Sequence, residues 1–343
     1  MTRTYQRKFL DDGVTPNPKY KPDRGDRHKN KGDRHLTNES SHRDRSKKKF
    51  IAIDGEGINT EMIVGYSKTK SGKNIPVYEH LYVLLVASSS EYIINEQGLS
   101  TTECFEFLLK LAKDHPDTIL VCYVISYEVT KMLKDVPSKI LSDLYESEDS
   151  GFNATAVYYH GTNGYTYKIA YKPRRSFTIT RLEKPLKYIS KTKRRKDGTK
   201  YTKYEPEIDY SVTLWDVSGF FKERFVDALG DKEVGYFHDH IHIEGGHEII
   251  KWNDGVCIDL TKMKAMKNRR RSFTREQIEE EILPYCKDEV KALQRLMERL
   301  REILEKANLL PFQSQWYGAG ACANTVLQRY HVKEHMQETD AIR

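Results

Sequence analysis

The chain has 343 residues, enough for one large domain or two ordinary ones. It is polar, with 38% hydrophobic and 31% charged residues; it has no apolar run of the roughly 18 residues that a membrane helix needs and no apolar signal core in MTRTYQRKFLDDG. Its five cysteines form no CxxC pair, which argues against a disulfide framework and for a reducing cytoplasm.

The net charge of +7 is uneven: residues 1–49 carry +8 and residues 168–204 carry +12, which leaves −13 on the rest. An acidic body with two basic appendages suggests a carboxylate-rich site with separate contacts for phosphates. Solvated charge runs are the plainer explanation of the tail.

Residues 1–48 have few apolar side chains and are expected to be a basic disordered tail. Strands are predicted over Lys49–Asp54, His80–Ala87 and Glu91–Asn95. An amphipathic helix is predicted from Thr101 or Thr102 to before Pro116, then a buried strand over Thr118–Ile125 and a helix from Val129. Further strands are predicted over Ala154–His160, Tyr165–Lys172, Ser176–Leu182 and Leu186–Ser190, with hairpin turns at Asn163-Gly164 and Asp197-Gly198. Val212–Val217 reads as a strand and Gly219–Leu229 as a helix. In the C-terminal third, Thr274 and Gln277 fit a capping box. Pro284 fits the first turn of a helix whose apolar stripe includes Cys286, Val290 and Leu293. This order fits an α/β fold, a mixed sheet with flanking helices.

Three sets of carboxylates carry the chemistry. Asp54 and Glu56, two apart on a strand, point to one face, and two adjacent acids call for a cation between them. The flanking Gly55 and Gly57 are expected to keep the backbone thin for a substrate; a polar strand end in water is the alternative. Glu128 follows the buried strand, where α/β sheets place ligand sites, or it is an acid at a helix N-terminus. Tyr285 and Glu289 share one helix face, with Asp288 as the neighbouring alternative. Four such acids can hold two divalent ions ~4 Å apart, as two-metal phosphodiester hydrolysis requires, and a tyrosine hydroxyl can position water.

At these residues the chain resembles the 3′–5′ exonuclease region of family B DNA polymerases, more narrowly the phage, prophage and linear-plasmid branch, many of whose members are protein-primed. FIAIDGEG (50–57), VISYEVTKMLKD (124–135) and YCKDEV (285–290) resemble its three exonuclease motifs. KIAYKPRRSFTI (168–179), LWDVSGFFKERFVDAL (214–229) and QWYGAGACANTVL (315–327) also look familial. The resemblance implies an RNase H-like, DEDD-type exonuclease domain over 49–308, with a basic β-hairpin insertion at about 168–204 and a helical C-terminal extension. It implies Asp54, Glu56, Glu128 and Glu289 as ligands to two Mg²⁺ or Mn²⁺ ions, with Tyr285 positioning water. Glu128 and Glu289 stand where the family usually carries Asp, and Val124 where it carries the Asn that helps hold single-stranded DNA. Neither a D-x-x-S-L-Y-P-like nor a Y-x-D-T-D palm motif occurs. Residues 309–343 are expected to lead toward a palm domain supplied elsewhere, the chain being a fragment or split subunit.

Lys172, Arg174, Arg175, Lys193, Arg194 and Arg195 are the expected phosphate contacts, with Tyr188 and Tyr201 stacking on bases. The expected partners are single-stranded or frayed DNA 3′ ends, a palm and thumb chain or a terminal protein, and no membrane; the expected setting is the cytoplasm of a bacterial host of a phage or plasmid. Rival expectations are a DNA-binding module without chemistry, a subunit completed by a palm chain through Leu309–Val326, and an endonuclease of the same fold acting on branched DNA. His238, His240, His242 and His247 fit a surface strand better than zinc, with no cysteines beside them. Asp216 is either a second acid near the metals or a helix cap, and Gly318-Ala319-Gly320-Ala321 fits close helix packing.

Overall fold

The structure is a computed structural model that describes residues 48–69, 71–146, 156–194, 198–230, 235–269, 273–310 and 316–329. The expected tail, save Lys48, and Arg195 lie outside the described residues. In chain order the strands are β1 (Lys49–Lys68), β2 (Asn74–Ala87), β3 (Tyr92–Ile94), β4 (Thr118–Cys122), β5 (Val157–His160), β6 (Thr166–Lys172), β7 (Ser176–Leu182), β8 (Tyr188–Arg194), β9 (Lys200–Pro206), β10 (Ile208–Asp216), β11 (Ile241–Glu244), β12 (His247–Lys251) and β13 (Cys257–Asp259). The α-helices are α1 (Thr101–Asp114), α2 (Ile125–Met132), α3 (Ser138–Glu146), α4 (Ser218–Phe221), α5 (Phe225–Gly230), α6 (Leu260–Arg269), α7 (Leu283–Lys306) and α8 (Ala319–Arg329).

Eight strands form a mixed central sheet in the order β3-β2-β1-β4-β10-β7-β6-β5. β1, β4 and β10 run parallel; β2, on one side, and β7, on the other, are antiparallel to their neighbours. Alternation along β1 builds both faces. Phe50 and Ala52 pack with α7 and with Met263 and Met266 of α6, whereas Ile51 and Ile53 pack with α1 and α2. Helices therefore cover both faces of the sheet, as its parallel centre requires.

Of the two capping boxes, the one at Thr274 is as expected, and the one at Ser100 is unforeseen. Ser100 caps α1 in a box with Glu103, and Thr274 and Gln277 form the second box. One π-turn, Ile278–Ile282, then leads into α7, whose first turn holds Pro284. Several boundaries differ from expectation, and the helix expected over Gly219–Leu229 is two, α4 and α5, broken where Lys222 turns left-handed (φ +58°). β1 runs on to Lys68 because β2 keeps pairing with it through three register shifts. Its outer residues Met62, Ile63, Val64 and Tyr66 are exposed, so no burial alternation marks them. β4 stops at Cys122 because Val124 turns the chain (φ +64°) and α2 begins at Ile125. β6 and β7 belong to the central sheet, so within 168–204 only β8 pairs as a separate ribbon, with β9.

Part of the segment expected to be a linker contributes to the core. Trp316 is 1% exposed and meets Phe50 edge-on at 4.8 Å. Gly318 lies against Gly219 so closely that a Cβ on Gly219 would sit 2.5 Å from the Tyr317 carbonyl oxygen. The small residues here serve close packing. No helix among the described residues is long and apolar enough to cross a membrane.

Candidate metal centre

Because β1, β4 and β10 are parallel and in register, Asp54, the turn after Cys122 and Asp216 all fall at one end of the sheet. Asp54 and Glu56 continue the alternation of Phe50 and Ala52, which aims them at the face that α7 covers. Cys286 of α7 meets them there: one ligand atom from each of Asp54, Glu56 and Cys286 lies within 4.8 Å of the other two. Asp54, Glu128 and Glu289 also line one cleft of about 1030 Å³. Residues far apart in sequence thus converge on one place. Two carboxylates at this spacing suit a hard divalent ion, which takes oxygen ligands; the thiol of Cys286 is a soft donor and the least suited of the three to Mg²⁺.

Glu128 comes from α2 and is buried. Its Oε2 accepts a hydrogen bond from the hydroxyl of Tyr82 at 2.5 Å, and Tyr82 is 1% exposed. Burial, and then the Glu128 carboxylate, raise the Tyr82 phenol well above its usual range, so it stays a donor. Tyr82 stands on β2 and passes over β1 at Gly55, where a Cβ would lie 1.8 Å from its hydroxyl oxygen. Two residues on, a Cβ at Gly57 would lie 2.4 Å from Nε2 of His80. The two glycines therefore make room for Tyr82 and His80, not for the substrate expected from the sequence.

The His80 ring is held at both nitrogens. Nδ1 lies 2.8 Å from Asn59 Oδ1, an acceptor, so it carries the proton, and Nε2 accepts from the Tyr127 hydroxyl at 3.1 Å. A neutral imidazole satisfies both bonds. Burial, and then nearby Lys131, lower the His80 pKa to about 4.

Asp216 is 2% exposed and works as a cap. Oδ2 accepts from the Ile125 backbone N–H at 3.1 Å, and Oδ1 accepts from the Ser218 N–H and hydroxyl at 3.0 and 2.6 Å. It thereby starts α2 and α4 at once and fixes the turn that carries Val124. That β-branched residue has φ +64° and ψ +72°, a left-handed conformation that Gly or Asn adopts more readily.

Glu289 is 3% exposed, and its Oε1 lies 2.6 Å from Nζ of Lys267 on α6. Tyr285, one turn earlier, is 3% exposed and packs edge-on against Phe273 at 6.4 Å. It is not among the residues that line the cleft. Asp288 also lies outside the lining, and burial raises its carboxyl pKa.

The expected phosphate contacts fall into two groups. Lys172, Arg174 and Arg175 form the β6–β7 turn at the carboxylate end, where the Arg175 carbonyl accepts from the Asp216 N–H at 3.0 Å. The Arg175 guanidinium lies 4.1 Å from the Tyr317 ring centroid. The β8–β9 ribbon instead springs from the other end of β7 and β10, where Leu182 pairs with Ile208. Arg194 ends β8. Lys193, Lys191 and Lys203 gather around Glu205 at 2.5, 3.1 and 3.1 Å, and these contacts pull its carboxyl down to about 2. Pairing of Lys193 with Tyr201 and of Ser190 with Tyr204 puts Tyr188 and Tyr201 on opposite faces of the ribbon. Tyr204, 70% exposed, shares the face of Tyr188, 61% exposed.

Sequence patterns gave no sign of Tyr82, Lys267 or Tyr204. Tyr82 and Lys267 stand in unremarkable apolar and basic runs, and their partners are 46 and 22 residues away. In the histidine cluster, His247 bonds Asp259 at 2.6 Å and His238 pairs with Asp239 at 2.7 Å; the only metal-competent group of three among the described residues is Asp54, Glu56 and Cys286. Comparisons with protein families, with curated proteins and with solved structures find no match.

Proposed function

We propose that the chain is a divalent-metal-dependent nuclease of RNase H-like fold that removes nucleotides from DNA 3′ ends, related to the exonuclease region of family B polymerases. The observation that carries this reading is the convergence of Asp54, Glu128 and Glu289 on one cleft, with Glu56 beside Asp54. The mixed central sheet with helices on both faces is compatible with that fold. Asp54, Glu56, Glu128 and Glu289 would hold Mg²⁺ or Mn²⁺. When bound, such ions supply hydroxide at neutral pH and stabilise the leaving 3′ oxygen.

The protein's own groups act by position. Tyr82 keeps the Glu128 carboxylate aimed, Asp216 keeps α2 seated, and α7 brings Glu289 to the cleft. Lys222 and Arg224, also in the lining, supply positive charge for a phosphate. The β6–β7 turn extends that charge at the same end of the sheet.

The test is a 5′-labelled single-stranded oligonucleotide incubated with Mg²⁺, Mn²⁺ or EDTA, beside Asp54→Ala/Glu56→Ala. A metal-dependent ladder that shortens from the 3′ end, and is lost in the variant, is the expected result. Internal cuts in a branched duplex would shift the reading to an endonuclease. One observation favours a second reading, a DNA-binding module without chemistry: the carboxylate of Glu289 is ion-paired with Lys267. Intact oligonucleotide under every metal condition, retarded on a gel, would establish it.

A further inference from the structure

The Glu289 side chain is 4% exposed, and Lys267 is 26% exposed. A carboxylate so deep in the protein requires a positive partner, since an unpaired buried charge is costly. Lys267 provides one charge. Its Nζ also lies 4.9 Å from the Phe225 ring centroid, so the side chain rests on an aromatic ring of α5 and its ammonium lies at the cleft wall. Glu289 lines that cleft together with Asp54 and Glu128.

Resting on the two-metal reading, we infer that Lys267 is a built-in counter-cation for Glu289, which a divalent ion must displace to bind there. One ammonium and one divalent ion compete for the same oxygen. In metal-free protein the pair keeps Glu289 compensated. When the ion takes Glu289, the ammonium moves into the cleft beside Lys222 and Lys264, where a phosphate is its natural partner. Lys267 thereby sets how tightly this position holds metal.

The probe is Mn²⁺ alone, with the full chain and no nucleic acid, followed by electron paramagnetic resonance of free Mn²⁺. Lys267→Met keeps an apolar side chain against Phe225 and drops the charge. It is expected to tighten the weaker Mn²⁺ site about tenfold, and Lys267→Met/Glu289→Gln is expected to lose that gain. Unchanged or weaker binding in Lys267→Met overturns the inference. Reductive methylation of the wild-type protein, read by mass spectrometry, needs no variant: Mn²⁺ is expected to speed labelling of Lys267, and equal labelling with and without Mn²⁺ also overturns the inference. Absence of Mn²⁺ uptake in both wild type and Lys267→Met sinks the metal reading together with this one. Uptake that Asp54→Asn abolishes and Lys267→Met leaves unchanged keeps the metal centre and removes only the role of Lys267.

Discussion

At one end of the paired strands β7 and β10 three carboxylates are buried, each with a specific partner: Glu128 with Tyr82, Asp216 with backbone N–H groups, Glu289 with Lys267. At the other end, about 26 Å away for nine residues of strand, the β8–β9 ribbon holds three lysines on one carboxylate in open solvent. The residue types are similar and the consequences differ. Exposed ion pairs are worth ~0–1 kcal/mol and leave side chains free to rearrange. Buried carboxylates must be matched in place, so they hold fixed positions. The first end suits chemistry on a defined atom, and the second suits attraction of a polyanion.

The largest expected effect tests how tightly the cleft end is built. Gly55→Ala drives a methyl group into the Tyr82 hydroxyl, and about 3 kcal/mol of stability is expected to be lost. Urea unfolding measures it; a loss under ~0.5 kcal/mol would mean that Tyr82 is not held over Gly55. At the ribbon, Tyr188→Ala/Tyr204→Ala is expected to weaken binding of a single-stranded oligonucleotide by ~1–3 kcal/mol, and to raise KM while leaving kcat unchanged. Tyr201→Ala, on the opposite face, is expected to do less. Fluorescence anisotropy and single-turnover rates decide this, and equal losses from both faces would undo the assignment.

The half-buried imidazole of His80 gives the cleft end a pH signature. His80 accepts a proton in the unfolded chain below its ordinary 6.5, but in the folded protein only near 4. Stability is therefore full above about 6.5 and falls as pH drops toward 4. Partial access to solvent brings the expected loss to ~1–2 kcal/mol. Urea midpoints of wild type and His80→Gln, compared across that interval, should converge as pH falls. Parallel curves would mean that burial and Lys131 do not lower the His80 pKa. The smallest effect is a gain: Val124→Asn relieves the left-handed strain and is expected to add about 1 kcal/mol, read as a rise in Tm. A lower Tm would mean that the Val124 side chain packs better than its backbone suggests.

Legible in the sequence alone were the α/β alternation, the Thr274–Gln277 capping box, the helix opened by Pro284 and the position of Asp54 and Glu56 on one strand face. Each follows from residues within a few positions of one another, where periodicity and cap chemistry act. Folding of the whole chain set that Glu128 and Glu289 share a cleft with Asp54 while Tyr285 lies buried outside its lining. It also decided that Gly55 and Gly57 yield to Tyr82 and His80, that Lys267 compensates Glu289, and that Tyr188 shares its face with Tyr204 and not with Tyr201. These follow from strand register and from contacts between residues distant in sequence, and a shift of one residue in register turns every side chain of a strand to the other face.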